Sequence, residues 1–168
     1  MNILLLEDNE KLNKAIQKRL ALKNYQVDAF IDGQEALDAI TFQEDDVFSN
    51  IETLRYESGA DMVSLLRPFI DGDTACGLAW ANPNINGSFD YMYSHTSIDC
   101  GDYVNAHELG HNMGLAHSRA QGDEGYSFPY ALGYRVEDVK NGFSTVMAYE
   151  TSNANKIYKF SNPDILCT

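Results

Sequence analysis

Residues 107–118 read HELGHNMGLAHS and hold three of the four histidines in a chain of 168 residues. His107 and His111 are four positions apart, so a helix puts both imidazoles on one face, one turn from each other. Two neutral imidazoles in that relation can hold one zinc ion at about 2.0–2.1 Å each. Glu108 lies about 100° further round such a helix. That is a poor position for a ligand beside the two histidines, but a good one for taking a proton from a water on the ion. His117 is ten residues beyond His107, roughly 15 Å along an unbroken helix and too far to share the metal. The chain must therefore turn after His111, and Gly114, which tolerates φ > 0, is the residue that ends the helix there. Three imidazoles with an open fourth position are the donor set of a catalytic rather than a structural zinc site. The fourth histidine, His95 in MYSHTSID, has no such company and reads as a sheet or rim histidine.

The full spacing, H-E-x-x-H-x-x-G-x-x-H, resembles that of the metzincin metallopeptidases, in which a Met-turn follows. STVMAYE, residues 144–150, supplies Met147 thirty residues after His117. In the family such a methionine lies under the zinc ligands as an apolar floor. Tyr149 completes an M-x-Y arrangement similar to astacin-like and serralysin-like members, where the tyrosine hydroxyl contacts the zinc site or the oxyanion. Across residues 44–168, GADMVSLL, CGLAWA, AHELGHNMG, FPYALGYR, TVMAY and FSNPDIL follow one another much as in bacterial reprolysin-like zinc peptidases, including the peptidyl-Asp type. Ser118 departs from the Asp that reprolysins carry after the third histidine and is more like the matrix metalloproteinase arrangement. That departure leaves subfamily and specificity open.

The resemblance implies an α/β fold: a metzincin-like mixed twisted sheet with an antiparallel edge strand, an active-site helix and a small irregular C-terminal subdomain. It implies a zinc-dependent endopeptidase, with zinc on His107, His111 and His117, Glu108 as general base and Tyr149 stabilising the oxyanion. The strand matching CGLAWAN would be the sheet edge along which a peptide or protein substrate lies extended. Trp80 either packs under this rim or lines the cleft. Residues 126–147 would wall the pocket for the residue after the cut, where Arg135 either selects an acidic side chain or forms a surface ion pair. Two readings from other classes stand beside this one: a zinc- or peptide-binding remnant without turnover, and a receiver-type signalling domain.

The receiver reading comes from the first forty residues. MNILLLEDNEKLNKAIQKRLALKNYQVDAFIDGQEALDAI resembles the first half of a response-regulator receiver domain, with Glu7 and Asp8 matching its acidic pair. The resemblance stops there. Asp45, Asp46 and Asp61 do not stand at the end of an apolar strand as a phosphate acceptor must, and no lysine occurs between Lys23 and Lys140. Residues 1–41 therefore read as a receiver-like βαβ segment, which can complete the sheet of a catalytic domain formed by 42–168 or replace a lost leader.

Those residues need elements to hold them. Hydrophobic periodicity predicts strand 2–6, helix 9–23 with a Leu12, Ala15, Ile16, Leu20 and Ala21 stripe, strand 25–30 and helix 33–40. It continues with helix 47–58, strands 60–66, 75–82 and 88–97, the metal-binding helix 102–114, and then irregular chain with a last helix. A net charge of −13 argues against nucleic acid as a partner. No apolar run approaches the roughly 20 residues that span a bilayer. Relatives of the resembling type are exported, yet ILLL followed by acids is not an export signal. Cys76, Cys100 and Cys167 leave open one disulfide of unassigned pairing or three free thiols.

Overall fold

The computed structural model describes the chain except residues 1, 7–9, 25, 31–32, 44–47, 70–72, 83–88, 139, 151–154 and 163–168; for 2–6, 10, 12–13 and 26–30 it describes the backbone. Glu7, Asp8, Asp45, Asp46 and Cys167 thus lie outside the described residues or side chains.

The apolar run NILLL forms β1 (Asn2–Leu6), α1 (Glu10–Ala21) follows, and β2 (Gln26–Phe30) returns parallel to β1 with Asn2 opposite Gln26. Parallel neighbours need such a crossover helix. These two strands make a sheet of their own. Among the described side chains of the expected α1 stripe, Ile16 and Leu20 are half-buried, whereas Ala15 and Ala21 are exposed.

α2 (Gly33–Phe42) carries the main core: Ala36, Leu37, Ala39 and Ile40 are buried together with Phe48 and Tyr93, and Ile51, Val63, Leu65, Leu78 and Trp80 pack around them. The core thus joins residues before and after position 42. α3 (Ile51–Ser58) starts later than its periodicity suggests because residues 48–50 form a turn, and it stops at Gly59 in the left-handed region. Arg55 at its end is buried, and its guanidinium donates to the carbonyls of Ala60 and Asp61.

β3 (Val63–Arg67), β4 (Gly77–Ala79) and β5 (Tyr93–Ser97) form a sheet of order β3-β5-β4. β5 runs parallel to β3 and antiparallel to β4, which leaves β4 on the edge. Every residue of β5 is buried, as a central strand covered on both faces must be. A 3-10 turn at Phe89–Tyr91 takes the start of the expected strand 88–97. Cys76 and Cys100 form a disulfide, with Cα atoms 5.6 Å apart, that ties the start of β4 to the loop entering the next helix. Closing that 24-residue separation restrains the unfolded chain by about 3 kcal/mol.

Beyond α4 (Val104–Asn112) the described residues make short strands: β6 (Ala116–Ser118), β7 (Leu132–Gly133), β8 (Arg135–Val136), β9 (Phe143–Ser144) and β10 (Asn155–Lys156). The expected last helix does not occur among the described residues, where a 3-10 turn at Arg119–Gln121 is the only helical element after α4.

His95 sits in the middle of β5 with no exposed surface. Its Nδ1 accepts from Arg67 Nε at 3.2 Å, and Arg67 pairs with Asp73 at 2.5 Å. Burial, helped by the Arg67 charge, lowers its pKa to about 4. Between that value and the ordinary 6.5 the unfolded chain binds the proton and the folded chain does not, so stability falls as pH falls through this window. The expected cost is about 3 kcal/mol by pH 4. Melting curves of the parent and His95→Gln across pH 7 to 4 test this: the variant should show the shallower acid slope, and equal slopes refute the assignment.

Candidate metal centre

α4 carries His107, Glu108 and His111. Asn112, fully buried, fixes the helix to the sheet by donating from Nδ2 to the carbonyls of Trp80 (2.9 Å) and Tyr93 (3.0 Å). At the other end, Ser64 of β3 donates to Asn105 Oδ1 at 3.0 Å. The helix stops where glycine permits a positive φ. Gly114 has φ 87°, its N–H reaches the His111 carbonyl, and the Leu115 N–H reaches the Gly110 carbonyl, both at 2.9 Å. That pair of bonds is a Schellman cap. It folds the Leu115 carbonyl back to His111 Nδ1 at 2.9 Å and sends the chain into β6, which carries His117.

The three imidazoles converge. His111 Nε2 lies 3.2 Å from His107 Nε2 and 3.2 Å from His117 Nε2. Two nitrogens each about 2.05 Å from one tetrahedral ion stand about 3.3 Å apart. Each Nδ1 is held by an acceptor: His107 by the Val146 carbonyl at 2.9 Å, His111 by Leu115, and His117 by Asp123 Oδ2 at 3.0 Å. An acceptor at Nδ1 keeps the proton there and leaves the Nε2 lone pair free for a metal. Burial lowers the pKa of His107 to about 4 and that of His111 in the same direction, so both are neutral near pH 7. A set of three pre-aimed imidazoles fits zinc.

Glu108 is buried, and desolvation pushes its pKa up to about 8. It lies against β4 at Gly77, where an added Cβ would come within 2.7 Å of Glu108 Cγ and Oε1. The edge strand therefore needs a residue without a side chain to let the carboxylate in. Met147 is fully buried, and a Cβ on Gly110 would overlap its sulfur. Because the neighbouring Val146 carbonyl holds His107, the same turn supplies both a floor beneath α4 and a backbone acceptor. The Tyr149 ring stands 4.5 Å from the ring of His117 and 5.8 Å from that of His107. Its pKa is raised by burial, then by the Glu108 and Asp123 charges, so the hydroxyl keeps its proton.

The residues picked out by spacing, His107, Glu108, His111 and His117, thus lie together, and Tyr149, picked out by the resemblance, stands beside two of the imidazoles. His95 lies apart from them. Trp80 packs on the core, donating from Nε1 to Thr41 Oγ1 at 2.8 Å with its ring against Phe42 and Tyr91. Arg135 pairs with Glu137 at 2.6 Å. Asp123 and Gln121 had no sequence signature. Asp123 accepts from the His117 backbone N–H at 2.9 Å as well as facing its ring, so one carboxylate orients both ends of the third ligand. Asp123→Asn should weaken zinc binding about 10- to 100-fold. Competition with a chromophoric chelator measures this, and unchanged affinity would refute the orienting role.

The model of metallopeptidase family M12, in its reprolysin form, matches residues 9–161. A peptidyl-Asp metalloendopeptidase of Pseudomonas aeruginosa is 35% identical over an alignment of 119 positions that covers 59% of this chain and 19% of that protein. A solved chain from a chaperone–substrate complex superposes with a TM-score of 0.53 at 22% identity, over 97% of this chain and 29% of that one. This chain therefore spans about a fifth of the curated relative's length, and the solved structure speaks to the fold alone.

Proposed function

Since the chain belongs to metallopeptidase family M12, of reprolysin type, we propose that it is a zinc-dependent endopeptidase that hydrolyses internal bonds of extended peptides. The observation that carries this reading is the convergence of three imidazole Nε2 atoms beside a buried carboxylate. Zinc, when bound, acts as a Lewis acid that activates water and polarises the scissile carbonyl. His107, His111 and His117 hold it. Glu108 takes the proton from the attacking water and passes it to the leaving amine. Tyr149 donates its hydroxyl to the developing oxyanion. β4, the antiparallel edge of its sheet, offers free backbone groups to a substrate strand running across the cleft.

In this reading residues 42–168 form a metzincin-like catalytic domain, and 1–41 are a receiver-like βαβ segment whose last helix contributes to its core. The disulfide fits an exported protein, and no helix among the described residues is long and apolar enough to cross a membrane. A remnant that binds zinc without turnover is the competing reading. The deciding experiment incubates the purified, zinc-loaded chain with an unstructured protein and sequences the new N-termini. Internal cuts support the endopeptidase, whereas zinc at one equivalent with no cuts leaves the remnant.

A further inference from the structure

Ser118 follows the third histidine and is buried, yet its hydroxyl does not turn toward the metal site. It donates to Gln121 Oε1 at 2.8 Å, and the Ser118 backbone N–H approaches the same oxygen at 3.4 Å. The Tyr149 backbone N–H also donates to that oxygen, at 3.1 Å. Two of these three groups are backbone N–H donors, so the converging atom must be the amide oxygen and not its nitrogen. One side-chain atom thereby links the segment carrying His117 to the segment carrying Tyr149. The residue before Tyr149 is held from another direction, by Lys156 Nζ donating to the Ala148 carbonyl at 2.7 Å. The Tyr149 side chain is itself more than half exposed, at 56%, so packing alone does not fix where its ring stands over His117.

We propose that Gln121 is a positioning residue: its amide oxygen ties the Tyr149 backbone to the third-ligand segment and sets the tyrosine's stance over the imidazoles. This rests on the reading that Tyr149 acts in peptide hydrolysis. The chemistry makes the role specific. All three bonds use Gln121 as an acceptor, so a carboxylate at this position satisfies the same donors, while a side chain without an acceptor satisfies none.

The test compares zinc-loaded parent, Gln121→Glu, Gln121→Ala, Tyr149→Phe and the Gln121→Ala/Tyr149→Phe pair. Zinc content and melting temperature are recorded for each. Tyr149→Phe should lower kcat on the order of 10²-fold and Gln121→Ala about tenfold with little change in KM, because a displaced donor is only partly lost. Gln121→Glu should stay within about twofold of the parent. In the Tyr149→Phe background Gln121→Ala should add no further loss, since a residue acting through tyrosine has nothing left to position. Independently of turnover, the Tyr149 amide should exchange with solvent about tenfold faster in Gln121→Ala and at the parental rate in Gln121→Glu.

Unchanged kcat in Gln121→Ala, a full additional loss in the Tyr149→Phe background, or an unaltered Tyr149 amide would each overturn the proposal. Failure of Gln121→Glu to rescue would do the same. A parent that holds zinc but cuts nothing overturns the endopeptidase reading, and the role in turnover falls with it. Unchanged amide exchange overturns the Gln121 tether alone, so the two failures are distinguishable.

Discussion

Glu108→Gln should lower kcat/KM of the zinc-loaded chain on the order of 10²- to 10⁴-fold, the usual contribution of a positioned base, and should leave the zinc content at the parental level. Glutamine matches glutamate in shape, so the close contact with Gly77 survives and α4 keeps its seat. What disappears is the proton acceptor. The amide does not compensate, because it cannot take the proton from water or return it to the departing amine. The histidines keep their own Nδ1 partners, Val146, Leu115 and Asp123. Steady-state cleavage of a fluorogenic peptide, beside metal analysis of the same preparations, gives the two numbers needed. Equal rates in parent and variant would mean that Glu108 is not the base. Loss of zinc along with activity would mean that the carboxylate supports the metal, and the assigned role would again be wrong.

Stripping the metal should lower turnover by more than about 10³-fold and lower the melting temperature; zinc should restore both, and magnesium neither. The selectivity follows from the donors. Three imidazole nitrogens suit borderline ions such as zinc, whereas magnesium demands an octahedron of oxygen ligands. The stability change follows from mass action, because an ion that binds the folded state about a hundredfold above its Kd adds about 2.7 kcal/mol. Calorimetry of apo and reloaded protein, with cleavage measured on both, decides the matter. Restoration by magnesium, or a melting temperature indifferent to zinc, would refute the three-histidine site.

Much of the site is legible in the residue spacing, and the reason is that metal coordination is a local geometric demand. His107 and His111 share a face because a helix repeats every 3.6 residues, and the Gly114 turn is forced by the distance to His117. Met147 and Tyr149 are legible differently, through likeness to a family pattern, because nothing local ties them to a helix thirty residues away. Element boundaries shift by a few residues where turns at 48–50 and 89–91 take over strand or helix ends. Among the described residues after β6 the chain forms two-residue strands rather than the expected last helix, since Gly- and Tyr-rich segments carry no clear period.

Spacing by itself pointed to three converging imidazoles, a glutamate beside them and a chain reversal after His111. Leu115 and Asp123 reach His111 and His117 from only four and six residues on, whereas tertiary structure alone brought the Val146 carbonyl to His107 Nδ1 across 39 residues. It also selected Cys76 with Cys100, gave Gly77 its reason for lacking a side chain and made Gln121 a junction. Such contacts depend on where distant segments pack, and a sequence written in one dimension does not record which of its many polar side chains will meet.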